Sequence, residues 1–322
     1  MIILTGGAGF IGSCLLARLN EAGQEDIIVV DHLDAEGLKQ KNLDGKKYRE
    51  YVDKTDFLDS VLNGRLKEKP AALIHMGACS STLIQDPEYY RQNNFEYTRH
   101  LAQWALGQAC PFIYASSAAT YGDGHGGYSD ADEVTRRLEP LNHYGRSKHD
   151  FDLWVLDEGL SSRFVGLKFF NVYGPNEYHK GDMRSVILKA YPRVVQEGKI
   201  GLFKSYRSGF ADGEQKRDFI YVKDAVDVIM HFWQNPHLAG IYNVGTGQAQ
   251  SWNDVARALF KACGRDLHID YIDMPEPLRS QYQYFTQAEI AKLRQSGYTK
   301  EFTLLDEAVA DYVGYLKNQA HY

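Results

Sequence analysis

Ile2-Ile3-Leu4-Thr5-Gly6-Gly7-Ala8-Gly9-Phe10-Ile11-Gly12 opens the chain and decides its fold. A short apolar run stops at glycines, after which Ile11, Leu15 and Leu19 recur at helical spacing until Gly23. That order reads as strand, tight turn, helix. Gly6, Gly9 and Gly12 permit a sharp turn, close approach of backbone N–H groups to a pyrophosphate and tight packing of helix on strand, with the helix N-terminus facing the anion. The spacing, G-x-x-G-x-x-G, differs by one residue from the usual dinucleotide fingerprint. Phe10 and Ile11, which open the helix, join the three glycines as cofactor-binding candidates.

Outward from this turn, Ile27-Ile28-Val29-Val30 reads as a second strand ending at Asp31. A carboxylate about 20 residues beyond the glycines is placed to bond an adenosine ribose. Asp31 favours NAD, because a 2'-phosphate about 4 Å away would cost roughly 1 to 4 kcal/mol. Lys39 and Lys54 can cancel that cost, and His32 adjoins the site, so the residues leave NAD and NADP open. Ala71-Ala72-Leu73-Ile74-His75 predicts the fourth strand, with His75 a core histidine. Met76, Gly77, Ala78, Cys79 and Ser80 follow on the cofactor side, the glycine allowing close approach. Asp86-Pro87 supply a cap and a first-turn proline for a helix over 87–104, from which Asn93 can reach the cofactor side. Phe112-Ile113-Tyr114-Ala115 predicts a strand that delivers Ser116 and Ser117 to the edge where an open parallel sheet binds ligands. Tyr144 and Lys148 then stand four apart on one helical face. A cation beside a phenol lowers its pKa from about 10 toward neutrality, which suits proton exchange with an alcohol during hydride transfer.

The 322 residues suggest two lobes, and a net charge of -6 without a basic run speaks against nucleic acid or an anionic membrane as partner. No apolar run approaches a membrane span, and no basic leader precedes Ile2, so a cytoplasmic, soluble chain is expected. Cys14, Cys79, Cys110 and Cys263 are scattered, with no His or Cys cluster at zinc spacing. Four reduced thiols and no metal are expected.

The motifs Gly77-Ala78-Cys79-Ser80-Ser81-Thr82, Ala115-Ser116-Ser117-Ala118-Ala119-Thr120-Tyr121-Gly122, Phe170-Asn171-Val172-Tyr173-Gly174-Pro175, His179-Lys180-Gly181, Arg217-Asp218-Phe219 and Tyr284-Phe285-Thr286-Gln287 carry a resemblance that runs nearly end to end. The chain resembles the extended short-chain dehydrogenase/reductases of the NAD-dependent epimerase/dehydratase type, and among them most the 6-epimerases of an ADP-linked heptose. The resemblance implies an α/β fold, a doubly wound parallel Rossmann-like sheet with a smaller α/β substrate lobe. The cofactor lobe would take residues 1–171 plus about 217–240, and the substrate lobe 172–216 plus about 241–322. It implies catalysis by Tyr144 with Ser117 and Lys148, and by Lys180 as a second acid/base. Val172 and Lys180 would also touch the cofactor. Asn171, Asp182, Lys189, Phe203, Lys204, Ser205, Tyr206, Arg217 and Tyr282, with Ser117, would bind a nucleotide-sugar. NADP, a homo-oligomer (a pentamer) and a role in the lipopolysaccharide inner core complete the expectation.

Met76, Asp182 and Lys189 depart from this pattern, where glutamate, serine and histidine are usual, and the loop 203–217 is longer. A UDP-hexose 4-epimerase is the nearest rival, though it has no need of Lys180. A 4,6-dehydratase lacks support, since Ala118-Ala119-Thr120 stand where an acidic pair follows the serine. A non-catalytic NADP(H)-binding sensor would typically lose the tyrosine-lysine pair. The residues 201–216, polar and rich in Lys and Arg, suit a loop over an anionic substrate or an ordinary solvated loop, and the resemblance implies the first.

Overall fold

The computed structural model describes residues 1–82, 84–279 and 282–322. Twelve strands are formed among them: β1 Ile2–Thr5, β2 Ile27–Asp31, β3 Glu50–Asp53, β4 Ala72–His75, β5 Phe112–Ser117, β6 Phe164–Phe169, β7 Asn171–Tyr173, β8 Ile200–Phe203, β9 Lys216–Tyr221, β10 Gly240–Val244, β11 Ala249–Ser251 and β12 Ile269–Ile272. Seven of these make one sheet in the order β10-β6-β5-β4-β1-β2-β3. Every pairing within it is parallel. Strands β1, β2, β4 and β6 are buried along their whole length, as a sheet covered by helices on both faces requires. Side chains alternate between the two cores: Ile2 and Leu4 pack to one side with Val226 and Ile229, while Ile3 packs to the other with Leu73, Phe112 and Phe151.

The strand order reverses between β1 and β4, so a crevice opens at their C-terminal ends. Two smaller sheets lie beyond: β11-β9-β7, and β12 beside β8. No helix among the described residues is long and apolar enough to cross a membrane.

Several expectations are corrected. Residues 201–203 are not loop but belong to β8, which gains a parallel partner in β12, and Lys216 already opens β9. β10 pairs with β6 in the large sheet, so a cofactor-lobe boundary at about 240 would cut off that sheet's edge strand. β5 runs on to Ser117 rather than ending at Ala115. The helix begun by Asp86, whose carboxylate accepts from the N–H groups of Glu88 and Tyr89, is α-helical only over Pro87–Tyr90. It is π-helical over Arg91–Glu96 and α-helical again over Tyr97–Gly107. His75 is the satisfied core histidine expected, fully buried between the hydroxyls of Thr5 and Thr98.

Candidate active site

The crevice is lined first by the glycine turn. Gly6 sits at φ +71°, and a Cβ on it would lie 2.5 Å from the Gly77 nitrogen, so the loops after β1 and β4 meet this closely only because Gly6 carries no side chain. The helix Phe10–Glu21 starts from Gly9 with no side-chain cap and no acidic residue in its first turn. Its first intrahelical bond runs from Ser13 N–H to the Gly9 carbonyl, which leaves the N–H groups of Phe10, Ile11 and Gly12 without helical acceptors. Asn142, Ser185 and Ser251 cap the helices that follow them. An uncapped, positive helix end in a glycine cradle fits a pyrophosphate.

Asp31 is 7 % exposed and accepts from the Ala8 N–H at 2.9 Å, the His32 N–H at 2.7 Å and Lys39 Nζ at 2.8 Å. Lys39 therefore pairs a cation with the Asp31 carboxylate, and it also donates to the His32 carbonyl. The His32 ring turns to Asp53 at 3.2 Å. Lys54 meets Asn93, its Nζ 3.0 Å from Oδ1. Met76 N–H donates to the Thr5 carbonyl, at the start of the segment through Ala78 and Ser80, both exposed. Within that segment Cys79 is gripped by Asn94, whose Oδ1 accepts from its N–H at 2.8 Å while Nδ2 donates to its carbonyl at 3.0 Å. Nδ2 of Asn94 also donates to Ser147 Oγ, on the helix that carries Tyr144 and Lys148.

That helix, His143–Asp157, is capped by Asn142, whose side chain accepts from the Gly145 N–H. It sets Tyr144 beside Ser117, at the end of β5. The Tyr144 pKa is raised, not lowered as the sequence suggested: burial dominates, a hydrogen bond with Ser117 opposes it, and Cys79 adds to the rise. Lys148 spends its charge elsewhere, donating to the Ala115 carbonyl at 2.8 Å. Burial pushes its own pKa down to about 8, against the pull of Asp152 and Cys79. Ser117 Oγ in turn accepts from the Ala119 N–H at 3.1 Å.

Beneath these groups lies a closed polar network. Asp152 and Lys168 are both fully buried, with Nζ 2.7 Å from Oδ2. Asp152 also accepts from Tyr114 Oη at 3.0 Å and Ser116 Oγ at 2.7 Å, and Lys168 donates to Thr120 Oγ1 at 3.0 Å. The pair bolts the helix His143–Asp157 to β5 and β6.

Lys180 reaches the crevice from a 3₁₀ segment, Tyr178–Met183, after β7 with its exposed Asn171 and half-buried Val172. Its Nζ stands 4.7 Å from the centre of the Phe10 ring and 3.9 Å from Glu177 Oε2. Burial lowers its pKa, Glu177 opposes this, and Lys189 adds to it. Among the described residues no hydrogen bond joins Lys180 to Tyr144 or Ser117. Asp182 and Lys189 are exposed and meet each other, Lys189 Nζ donating to the Asp182 carbonyl.

On the far side, Arg217 is 7 % exposed and flanked by the rings of Tyr282, 5.1 Å away, and Trp252, 5.9 Å away. Its Nη1 donates to the Lys216 carbonyl at 2.9 Å, and among the described residues no carboxylate pairs with it. A buried guanidinium without a carboxylate partner keeps donors that can take an anion. Trp252, which the sequence pattern does not single out, also donates to Tyr282 Oη at 2.9 Å. Phe203 packs edge-on against Tyr282. Lys204 and Tyr206 both reach Asp273, Arg279 stacks 3.8 Å over the Tyr206 ring, and Ser205 N–H donates to Asp212.

Residues 2–245 match the model of the NAD dependent epimerase/dehydratase family. The chain is 53% identical over 313 residues, 97% of both chains, to an ADP-L-glycero-D-manno-heptose-6-epimerase of Nitratidesulfovibrio vulgaris strain Hildenborough. It is 45% identical over an alignment of 332 residues, 100% of both chains, to the protein of that name from Fusobacterium nucleatum. The crystal structure of the Helicobacter pylori ADP-L-glycero-D-manno-heptose-6-epimerase superposes with a TM-score of 0.81 at 30% identity, over 98% of this chain and 96% of that one. With the glycine cradle at the switch point of the sheet and Ser117, Tyr144 and Lys148 beside it, the chain belongs to the NAD dependent epimerase/dehydratase family and is an epimerase.

Proposed function

We propose that the chain interconverts ADP-D-glycero-D-manno-heptose and ADP-L-glycero-D-manno-heptose by transient oxidation at C6. The observation that carries this reading is that full-length relatives bear that name, in a chain that carries Tyr144 beside Ser117 on the helix after β5 and a buried Lys180 against Phe10, at the head of the glycine-turn helix. Inversion needs proton exchange on both sides of a transient ketone, and one fixed phenol serves one side only.

A bound nicotinamide would accept a hydride from C6 and return it. The uncapped helix after Gly9 would hold its pyrophosphate, and Lys148 would bond the ribose. Tyr144 would exchange a proton with the C6 oxygen in one orientation, steadied by Ser117, and Lys180 in the other. Arg217 would take the diphosphate of the sugar nucleotide. Lys39, paired with Asp31, supports NADP by offsetting the carboxylate charge that would repel a 2'-phosphate. A cytoplasmic homo-oligomer supplying lipopolysaccharide synthesis accords with this reading.

The test is to incubate the protein with ADP-D-glycero-D-manno-heptose in heavy water and examine C6 by NMR. Inversion without deuterium at C6 is expected; deuterium entry would mean deprotonation at carbon and refute the hydride route. Tyr144→Phe and Lys180→Ala should each lose about 10²- to 10⁴-fold in turnover with cofactor still bound.

A further inference from the structure

Asn42 is fully buried at the end of the short helix Leu38–Lys41, where a surface turn would be expected to leave an asparagine exposed. Its Nδ2 lies 3.0 Å from the Ala8 carbonyl, in the centre of the glycine turn, and 3.2 Å from the Asn176 carbonyl. It is also 3.3 Å from His179 Nδ1, which burial keeps neutral with a pKa down to about 4, so that this nitrogen can accept. Its Oδ1 pairs with His321 at 2.8 Å. One amide thus joins the turn that would hold the pyrophosphate to the segment 176–179, which immediately precedes Lys180.

A second buried amide repeats the bridge. Asn176, at φ +74°, donates from Nδ2 to Ser13 Oγ at 2.9 Å, on the helix that follows the turn. Its Oδ1 accepts from the Tyr322 N–H at 2.8 Å. An asparagine held in the left-handed region, with its side chain fully used, fixes the direction in which the next residues leave. The segment that follows is two short 3₁₀ turns kinked at Gly181, φ +52°, closed by Lys180 N–H on the Glu177 carbonyl at 3.1 Å and Arg184 N–H on the Gly181 carbonyl at 3.2 Å, so where Lys180 stands depends on how the start of these turns is anchored.

We propose that Asn42 is a positioning residue for the reaction, holding the segment 176–179 on the glycine turn so that Lys180 stands at the height of the nicotinamide-bearing face. This rests on the assignment of Lys180 as the second acid/base. Asn42 touches no reacting atom. Its effect is confined to the half of the reaction that Lys180 serves, because Tyr144 is held independently by its own helix and the Asp152–Lys168 pair.

The experiment compares the two epimers as starting substrates. Enzyme loaded with oxidised cofactor is mixed with each epimer, and the first appearance of reduced nicotinamide is followed by absorbance. Tyr144→Phe should slow oxidation of one epimer and Lys180→Ala that of the other. Asn42→Asp, which keeps the volume but removes both donors, should follow the Lys180→Ala pattern. It should slow the same epimer at least about tenfold while the other stays within about twofold and cofactor affinity within about threefold. Asn42→Ser gives the same reading if the carboxylate prevents folding. Equal slowing of both epimers, or wild-type rates in both, overturns the inference while leaving the acid/base assignment intact. If Tyr144→Phe and Lys180→Ala fail to separate the epimers, the assignment itself falls and this inference with it.

Discussion

Replacing Lys168 by methionine should destabilise the protein by about 3 to 5 kcal/mol, because it leaves the Asp152 carboxylate buried without its cation. Both partners are fully buried, so no solvent screening softens the loss. The two hydroxyls that remain on Asp152, from Tyr114 and Ser116, are neutral donors and cannot replace a charge at 2.7 Å. At roughly 2 °C per kcal/mol for a chain of this size, the midpoint of thermal unfolding should fall by about 6 to 10 °C. Asp152→Asn combined with Lys168→Met removes both charges and keeps an acceptor for one of the hydroxyls. This double variant should recover at least about half of the loss. Denaturant unfolding of wild type, single and double variants measures it. A single-variant loss below about 1 kcal/mol, or a double variant no better than the single, would refute the reasoning.

Two further outcomes follow from charges described above. Arg217→Met should weaken binding of an ADP-sugar about 10- to 10²-fold by calorimetry, the worth of charge-assisted bonds to a diphosphate. The same change should leave unfolding of the ligand-free chain unchanged or shift it upward, since it removes a buried cation without a carboxylate; lost stability with unchanged affinity would count against an anion receptor. Lys148, pushed down to about 8 from an ordinary 10.5, binds fewer protons in the folded than in the unfolded chain between those values. Its burial penalty is therefore fully present below pH 8 and relieved as pH rises toward 10.5. Subtracting the pH profile of unfolding free energy of Lys148→Met from that of the wild type should give a difference that rises across this window, and a flat difference would contradict the shift.

Much of the fold lay open in local pattern. Ile2-Ile3-Leu4 followed by glycines predicts a strand, turn and helix, and the structure has them there. Ser117, Tyr144 and Lys148 were legible because strand end and helix phase are short-range properties. Asn94 was not, since the π-helical stretch Arg91–Glu96 inserts extra residues per turn and shifts the face that an α-helical count assigns. Asn93 beside it, which the sequence did single out, meets Lys54, another residue of the same expected set. The state of Tyr144 also escaped a reading by spacing. The i,i+4 rule places Lys148 on the same face, but it cannot foresee that the ammonium is drawn to the Ala115 carbonyl. Lys168 inside an apolar strand and Asn42 in a surface-like turn have partners far away in sequence, so no window of residues could have paired them.

The seventh strand has a consequence for how the chain is made. β6 and β10 lie side by side, yet the chain between them first builds β7, β8 and β9 of the outer sheets. A nascent chain thus carries β6, buried along its length in the finished protein, as an open sheet edge until residue 244 has left the ribosome. Such an edge invites pairing with other chains. A cut before Gly240 would therefore leave the large sheet one strand short, and its completion waits on a strand, Gly240–Val244, that follows β6 only after the intervening strands of the outer sheets.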